Sequence, residues 1–137
     1  MMEQNEQITI AMAKGRLAEQ TMELMEGMGI DVSPLREKSR KLVFESADGK
    51  YRYIMVKPSD VPTYVDHGVA DVGIVGKDTL MEENRPLYEM LDLGFGKCSI
   101  CVCGYAKQEP LKKAHIRVAT KYTGIAGQVF ATRGSSI

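Results

Sequence analysis

The 137-residue chain has no tryptophan, two histidines, three cysteines and no net charge, its eighteen lysines and arginines being matched by eighteen aspartates and glutamates. The balanced charge argues against a general nucleic-acid surface, although it leaves room for a local cationic pocket. No apolar run approaches the roughly 20 residues of a membrane span, and the opening "MMEQNEQ" lacks the basic and apolar regions of a signal peptide, so a cytoplasmic setting is expected. His67 and His115 lie far apart in sequence without a ligand-like neighbour. Cys98, Cys101 and Cys103 fall within "CSICVC", but a structural zinc site normally needs four ligands. On an extended segment Cys101 and Cys103 would face one side and Cys98 the other, so reduced, partly buried thiols and no metal are expected.

Two phosphate-binding signatures are also missing. A P-loop needs glycine five residues before its Gly-Lys pair and Ser or Thr after the lysine; around Gly76-Lys77 those positions hold Asp71 and Asp78. A dinucleotide fingerprint fails at "GFGKCS", where Ser99 stands in place of the third glycine.

With 44% apolar and 26% charged residues, the chain reads as soluble and globular, long enough for one core that buries roughly two thirds of its unfolded surface. Residues 7–12, "QITIAM", alternate as a strand. Leu17, Thr21, Leu24, Met25 and Met28 then recur at helical spacing up to Gly29, a C′ glycine. "KLVFE" and "YRYIMV" flank a hairpin turn at Asp48-Gly49. A helix follows with Ser59 as N-cap, Val61, Tyr64 and Val65 on one face, and His67-Gly68 at its end. "DVGIVG" is a short buried strand, and "KDTLMEE" begins a helix that Asp78 or Thr79 could cap.

Residues 87–105 form a long, mostly apolar extended stretch broken by Gly94 and Gly96, suited to a crossing between lobes. A polar loop over 106–114, a strand at "HIRVAT" and a helix over "KYTGIAGQVFATRG" follow. In that helix Ile125, Val129 and Phe130 would point inward, with Gly134 just past the end.

Short strands alternating with helices argue for a largely parallel sheet, whose ligands collect at the carboxyl ends of the strands. Two loops fit that place. Lys14, Gly15 and Arg16 follow the first strand, where cations beside a helix N-terminus are unfavourable unless an anion is bound or solvent screens them. Gly76 and Lys77 follow a later strand, and there a tight turn that brings backbone and a lysine charge to a ligand, and a plain strand-to-helix turn with a solvated lysine, are both open.

The order "AMAKGRL", Ser39-Arg40, "KPSDVPTYVDHGVADVGIVGKDTL", "YEMLDLGFGKC" and "RVATKYTGIA" resembles the catalytic ATP phosphoribosyltransferases of histidine biosynthesis, in their short form, from Ile8 to Gly134. The resemblance implies a two-lobed α/β fold similar to type II periplasmic binding proteins. Residues 1–95 would form a first lobe and 96–137 the start of a second. It implies a glycosyltransferase reaction in which N1 of the ATP adenine attacks the anomeric carbon of phosphoribosyl pyrophosphate and releases pyrophosphate, with Mg²⁺ accompanying the substrates. It further implies a hetero-oligomer with a regulatory subunit similar to histidyl-tRNA synthetase. Such chemistry needs no protein nucleophile, and no residue is assigned a catalytic role. Cations, oriented amides and alignment of the substrates suffice.

Matched position by position, Lys14, Gly15 and Arg16 correspond to the family's first cleft loop. Asp71, Gly73, Gly76 and Lys77 correspond to a second glycine-rich segment, Asp92, Gly94 and Phe95 to the lobe-crossing segment, and Thr120, Lys121 and Tyr122 to a loop of the second lobe. All are implied to bind substrate. Ala13 and Thr123 stand where the family commonly has proline, and Lys57 where arginine is usual. After "FATRG" the family continues into a pyrophosphate-binding loop and then returns to complete the first lobe. The resemblance therefore implies a chain with its C-terminal part missing, inactive by itself. A non-catalytic small-anion or nucleotide-binding module of the same two-lobed fold is the alternative.

Overall fold

The computed structural model describes residues 7–37, 39–105, 111 and 115–137. Apart from Leu111, the polar loop expected over 106–114 lies outside these residues.

A four-stranded sheet in the order β2-β3-β1-β4 organises the fold. Strands β1 (Ile8–Ala13), β3 (Tyr51–Val56) and β4 (Val72–Ile74) are parallel, while β2 (Val43–Glu45) runs antiparallel to β3 as the other half of the expected hairpin. Asp48 makes the hairpin turn: its Oδ1 accepts from Ser46 Oγ at 2.6 Å and Lys50 N at 3.0 Å.

Alternation along β1 sends its side chains to opposite faces. On one face Ile10 and Met12, with Tyr53 and Met55 of β3, pack against Ala18, Met22 and Met25 of α1 (Arg16–Gly27). On the other, Ala11 packs against Val61 and the partly buried Tyr64 and Val65 of α3 (Asp60–Asp66). A sheet covered on both faces is the setting in which short parallel strands are stable.

Helix α1 begins where expected but presents a rotated face. Ala18, Thr21, Met22 and Met25 are buried, whereas Leu24 and Met28 are exposed. Leu24 lies about 100° round the helix from Met25, outside the stripe aimed at the sheet, and Met28 is the C-cap residue where the helix has already ended. Ser59 precedes α3 but makes no capping bond, contrary to expectation, because its backbone is already helical at φ −62° and ψ −25°. A capping side chain needs an extended backbone to reach forward to the free amides.

Helices α1, α3 and α5 (Thr123–Thr132) end alike. In α1, Gly29 N donates to Glu26 O at 2.9 Å and Ile30 N to Met25 O at 2.9 Å. Gly68 and Gly134 repeat the pattern, and all three glycines have φ between 68° and 77°. This paired closure at a left-handed residue satisfies the last carbonyls of each helix. Two short helices, α2 (Ser33–Arg36) and α4 (Lys77–Glu83), complete the set.

Neither the extended stretch over 87–105 nor the expected strand at "HIRVAT" joins the sheet. Residues 87–105 contain no strand, and Tyr88, Met90, Leu91, Ile100, Val102 and Tyr105 are exposed. "HIRVAT" contributes one bridge, between His115 and Ser136. A strand exists only through its ladder, and among the described residues neither segment has a partner strand to pair with. In α5, Ile125 and Phe130 are buried as expected, but Val129 is exposed.

Candidate functional site

Because β1, β3 and β4 are parallel, the segments that leave them emerge along one edge of the sheet. Met12 pairs with Ile74, which brings the loop at Lys14 level with Gly76. Lys14, Gly15 and Arg16 are all exposed there, and among the described residues neither cation has an ion-pair partner. Gly15 sits at φ 116° and ψ −165°, a conformation essentially confined to glycine. This lets the chain turn from β1 into α1 within one residue. A groove of about 230 Å³ opens beside the loop, lined by Lys14, Gly15, Ala18, Met22, Glu37 and Ser39 among others.

The turn at Asp92–Gly94 is closed by Gly94 N donating to Asp92 Oδ1 at 2.8 Å. Two residues on, Gly96 lies against Leu17: a Cβ there would come 3.2 Å from Leu17 Cδ1. The segment carrying Asp92, Gly94 and the half-buried Phe95 therefore runs beside the start of α1.

At the end of β4, Gly76 takes the N-cap position of α4. Neither Asp78 nor Thr79 caps the helix; Asp78 is drawn instead to Tyr122, whose hydroxyl donates to Asp78 Oδ2. Lys77 is ion-paired with Glu89, in a second groove of about 240 Å³ with Leu80, Asn84, Arg85 and Tyr88.

The loop Thr120, Lys121, Tyr122 leads into α5. Thr120 Oγ1 accepts from Tyr122 N at 3.0 Å, and Lys121 Nζ lies 4.6 Å from the centre of the Tyr122 ring. That contact with Tyr122 holds the Lys121 pKa above its usual value. One carboxylate then ties this loop to α4. Glu82 Oε1 accepts from Gly124 N at 2.8 Å and Thr123 Oγ1 at 3.3 Å, and Oε2 accepts from Ile125 N at 2.9 Å. The Ile125 and Gly124 amides hold the Glu82 carboxyl below its ordinary pKa of 4.5. Helix N-termini attract negative charge through their free amides, and here a glutamate supplies it.

Asp71 and Gly73 lie elsewhere. Asp71 Oδ2 accepts from Thr9 N at 2.7 Å while Asp71 N donates to Thr9 O at 2.9 Å, at the opposite end of β1 from Lys14. Gly73 sits within the strand beneath α3, where a Cβ would meet Val61 Cγ1 at 2.8 Å. The sequence pattern did not single out Glu82, although Asp78 and Glu82 are four apart on α4, a spacing that puts two carboxylates on one face.

Cys98, Cys101 and Cys103 are exposed rather than partly buried, since the segment carrying them joins no sheet. Among the described residues no group of three or more His, Cys, Asp or Glu side chains is placed to hold a metal ion, and no helix is long and apolar enough to cross a membrane.

The HisG family model, described as ATP phosphoribosyltransferase, matches residues 57–137. A protein named ATP phosphoribosyltransferase from Alkaliphilus metalliredigens is 51% identical over 130 residues, covering 95% of this chain and 62% of its own. One of the same name from Lachnospira eligens is 52% identical over 126 residues, covering 90% and 58%. The fold is similar to a chain of the ATP phosphoribosyl transferase (HisG:HisZ) complex from Thermotoga maritima, with a TM-score of 0.66 and 27% identity over 94% of this chain and 61% of that one. The chain thus spans about three fifths of the length of the relatives it matches. Taken with the order of its strand-end loops, the match assigns this chain to the HisG ATP phosphoribosyltransferase family.

Proposed function

We propose that this chain provides substrate-binding parts of an ATP phosphoribosyltransferase, which condenses ATP with phosphoribosyl pyrophosphate to N1-(5-phosphoribosyl)-ATP and pyrophosphate, the first step of histidine biosynthesis. The observation that carries the reading is the family match together with relatives of that name about half identical along nearly the whole chain.

Both substrates are polyanions, and the strand-end edge is where this chain offers exposed cations. Lys14 and Arg16 are the first candidates for phosphate contacts, with Gly15 bringing backbone close to the ligand. Gly76 and Lys77 flank them, although Lys77 must exchange Glu89 for a phosphate. Thr120, Lys121 and Tyr122 offer a hydroxyl, a cation and an aromatic face, a set suited to a nucleotide. Asp92, Gly94 and Phe95 border the same region beside α1. Asp71 and Gly73 serve the sheet: Asp71 clamps β1 to β4 and Gly73 admits α3.

In this reading residues 1–95 belong to one lobe and 96–137 begin a second, with substrates between them as in type II periplasmic binding proteins. Mg²⁺ enters with the substrate phosphates rather than on a protein carboxylate cluster. The protein's contribution is electrostatic and geometric: cations stabilise the departing pyrophosphate, and the loops hold the ribose carbon in line with the adenine nitrogen. Use of ATP and phosphoribosyl pyrophosphate fits a cytoplasmic enzyme, and the neighbour from a HisG:HisZ complex supports a regulatory partner subunit.

The test is pyrophosphate release from ATP, phosphoribosyl pyrophosphate and Mg²⁺ by the full natural chain, with and without such a partner. Arg16→Ala and Lys14→Ala should each lower kcat/KM by about 1.5–3 kcal/mol, the value of a hydrogen bond to a charged group. Unchanged kinetics in both variants would reject the loop assignment. Nucleotide binding with no turnover would favour the binding-module alternative.

A further inference from the structure

Two loops far apart in the chain, 76–78 and 120–122, meet through contacts that the proposed chemistry does not itself require. We infer that Glu82 is a positioning residue, which grips the first turn of α5 and thereby fixes the Thr120, Lys121 and Tyr122 loop against the Gly76, Lys77 and Asp78 turn so that both address one nucleotide. The inference rests on the function proposed above and adds to it the device that aligns the two loops.

A single contact would leave α5 free to pivot about it. Here there are two sites of contact, one turn apart on α4: Tyr122 bonds to Asp78, and Thr123, Gly124 and Ile125 bond to Glu82. Together they set the distance between the helices and the rotation of α5. A Cβ at Gly124 would lie 3.4 Å from Glu82 Oε2, an ordinary van der Waals contact, so the carboxylate is seated directly against this backbone. The glutamate also engages the Gly124 and Ile125 amides. The loop is then left to meet a ligand through the Thr120, Lys121 and Tyr122 side chains rather than through the helix amides.

The experiment compares wild type, Glu82→Ala and Glu82→Gln in the full natural chain, by hydrogen exchange over 120–126 and by steady-state kinetics in ATP. The alanine variant should exchange faster over 120–126 and raise KM for ATP about tenfold, the loss of one charge-assisted hydrogen bond, with kcat changed much less. Glutamine, which keeps one acceptor oxygen, should restore part of both effects. Unchanged exchange in Glu82→Ala would overturn the inference. So would faster exchange with an unchanged KM, since Glu82 would then merely cap α5. If wild type neither binds nor turns over ATP, the proposed function fails, while the exchange measurement still reports whether Glu82 holds the loop.

Discussion

Gly73 of β4 lies directly under Val61 of α3: a Cβ on Gly73 would come 2.8 Å from Val61 Cγ1 and 2.9 Å from Val65 Cγ2. Its ladder neighbour Ala11 is small as well and fully buried, so the two strands form a shallow seat for the helix. Both valines are β-branched and stiff at χ1, and cannot swing aside cheaply. Gly73→Ala should lower stability by about 1–3 kcal/mol through overpacking. Val61→Ala in the same chain should recover part of that loss, a coupling readable by a double-mutant cycle of urea midpoints. Strictly additive effects would show that the helix seat is not what requires glycine here.

Gly15 is a glycine for another reason. No atom lies within 4 Å of where its Cβ would be, yet its φ of 116° is one that side-chain-bearing residues rarely adopt. Gly15→Ala should therefore cost about 1–3 kcal/mol as backbone strain, or make the turn rearrange. If it rearranges, Lys14 and Arg16 lose their register and phosphate binding weakens more than stability does. Thermal melting beside a titration with inorganic pyrophosphate separates the outcomes, and a variant matching wild type in both would refute the strain.

The core sheet was legible because its signals are local. Alternation in β1, Asp48-Gly49 in the hairpin and the glycines at 29, 68 and 134 each specify their own few residues. What failed depended on partners distant in sequence. Residues 87–105 and "HIRVAT" are apolar enough for strands, but a strand is defined by a neighbour that the segment itself does not encode. Leu24 followed helical spacing, yet the sheet's position decides which part of a broad apolar stripe is covered. At the site, Lys14, Gly15, Arg16, Gly76 and Lys77 could be placed by their position after strands. Asp71 shares that glycine-rich run but opens β4 instead of closing it, which puts it at the far edge. Nothing in the sequence singles out Glu82, because its partners lie more than forty positions away.

Tyr53 should govern an alkaline limb of stability. It is fully buried, its hydroxyl donates to Asp31 O at 2.7 Å, and burial, reinforced by the charge on Asp31, raises its pKa from 10.0 to about 12. A raised folded-state value means that the neutral form is favoured in the fold. The contribution is complete below pH 10 and lost as pH rises toward 12. Tyr53→Phe should cost about 1 kcal/mol at neutral pH, where the Asp31 carbonyl loses its donor. It should also flatten the decline between pH 10 and 12. Denaturant midpoints across that range decide the matter, and parallel curves for the two proteins would show that Tyr53 does not drive the decline.

At the acid end the sign reverses, and the effect should be local to α5. The amides of Ile125 and Gly124 hold the Glu82 carboxyl below its ordinary value of 4.5, so its contribution is present above that pH and lost as pH falls through the lower folded-state value. Glu26, held down by Arg36, and Asp31, held down by the Ala47 and Ser33 contacts, also titrate low, so a global melt at acid pH mixes several carboxylates. Hydrogen exchange resolved by segment separates them. Below pH 4.5, residues 122–126 should lose protection in wild type, after correction for intrinsic exchange rates, relative to residues 17–27 of α1. Glu82→Gln, which has no proton to gain, should show weaker protection at neutral pH and no further loss on acidification. An acid loss of equal size in wild type and Glu82→Gln would mean that another group anchors the start of α5.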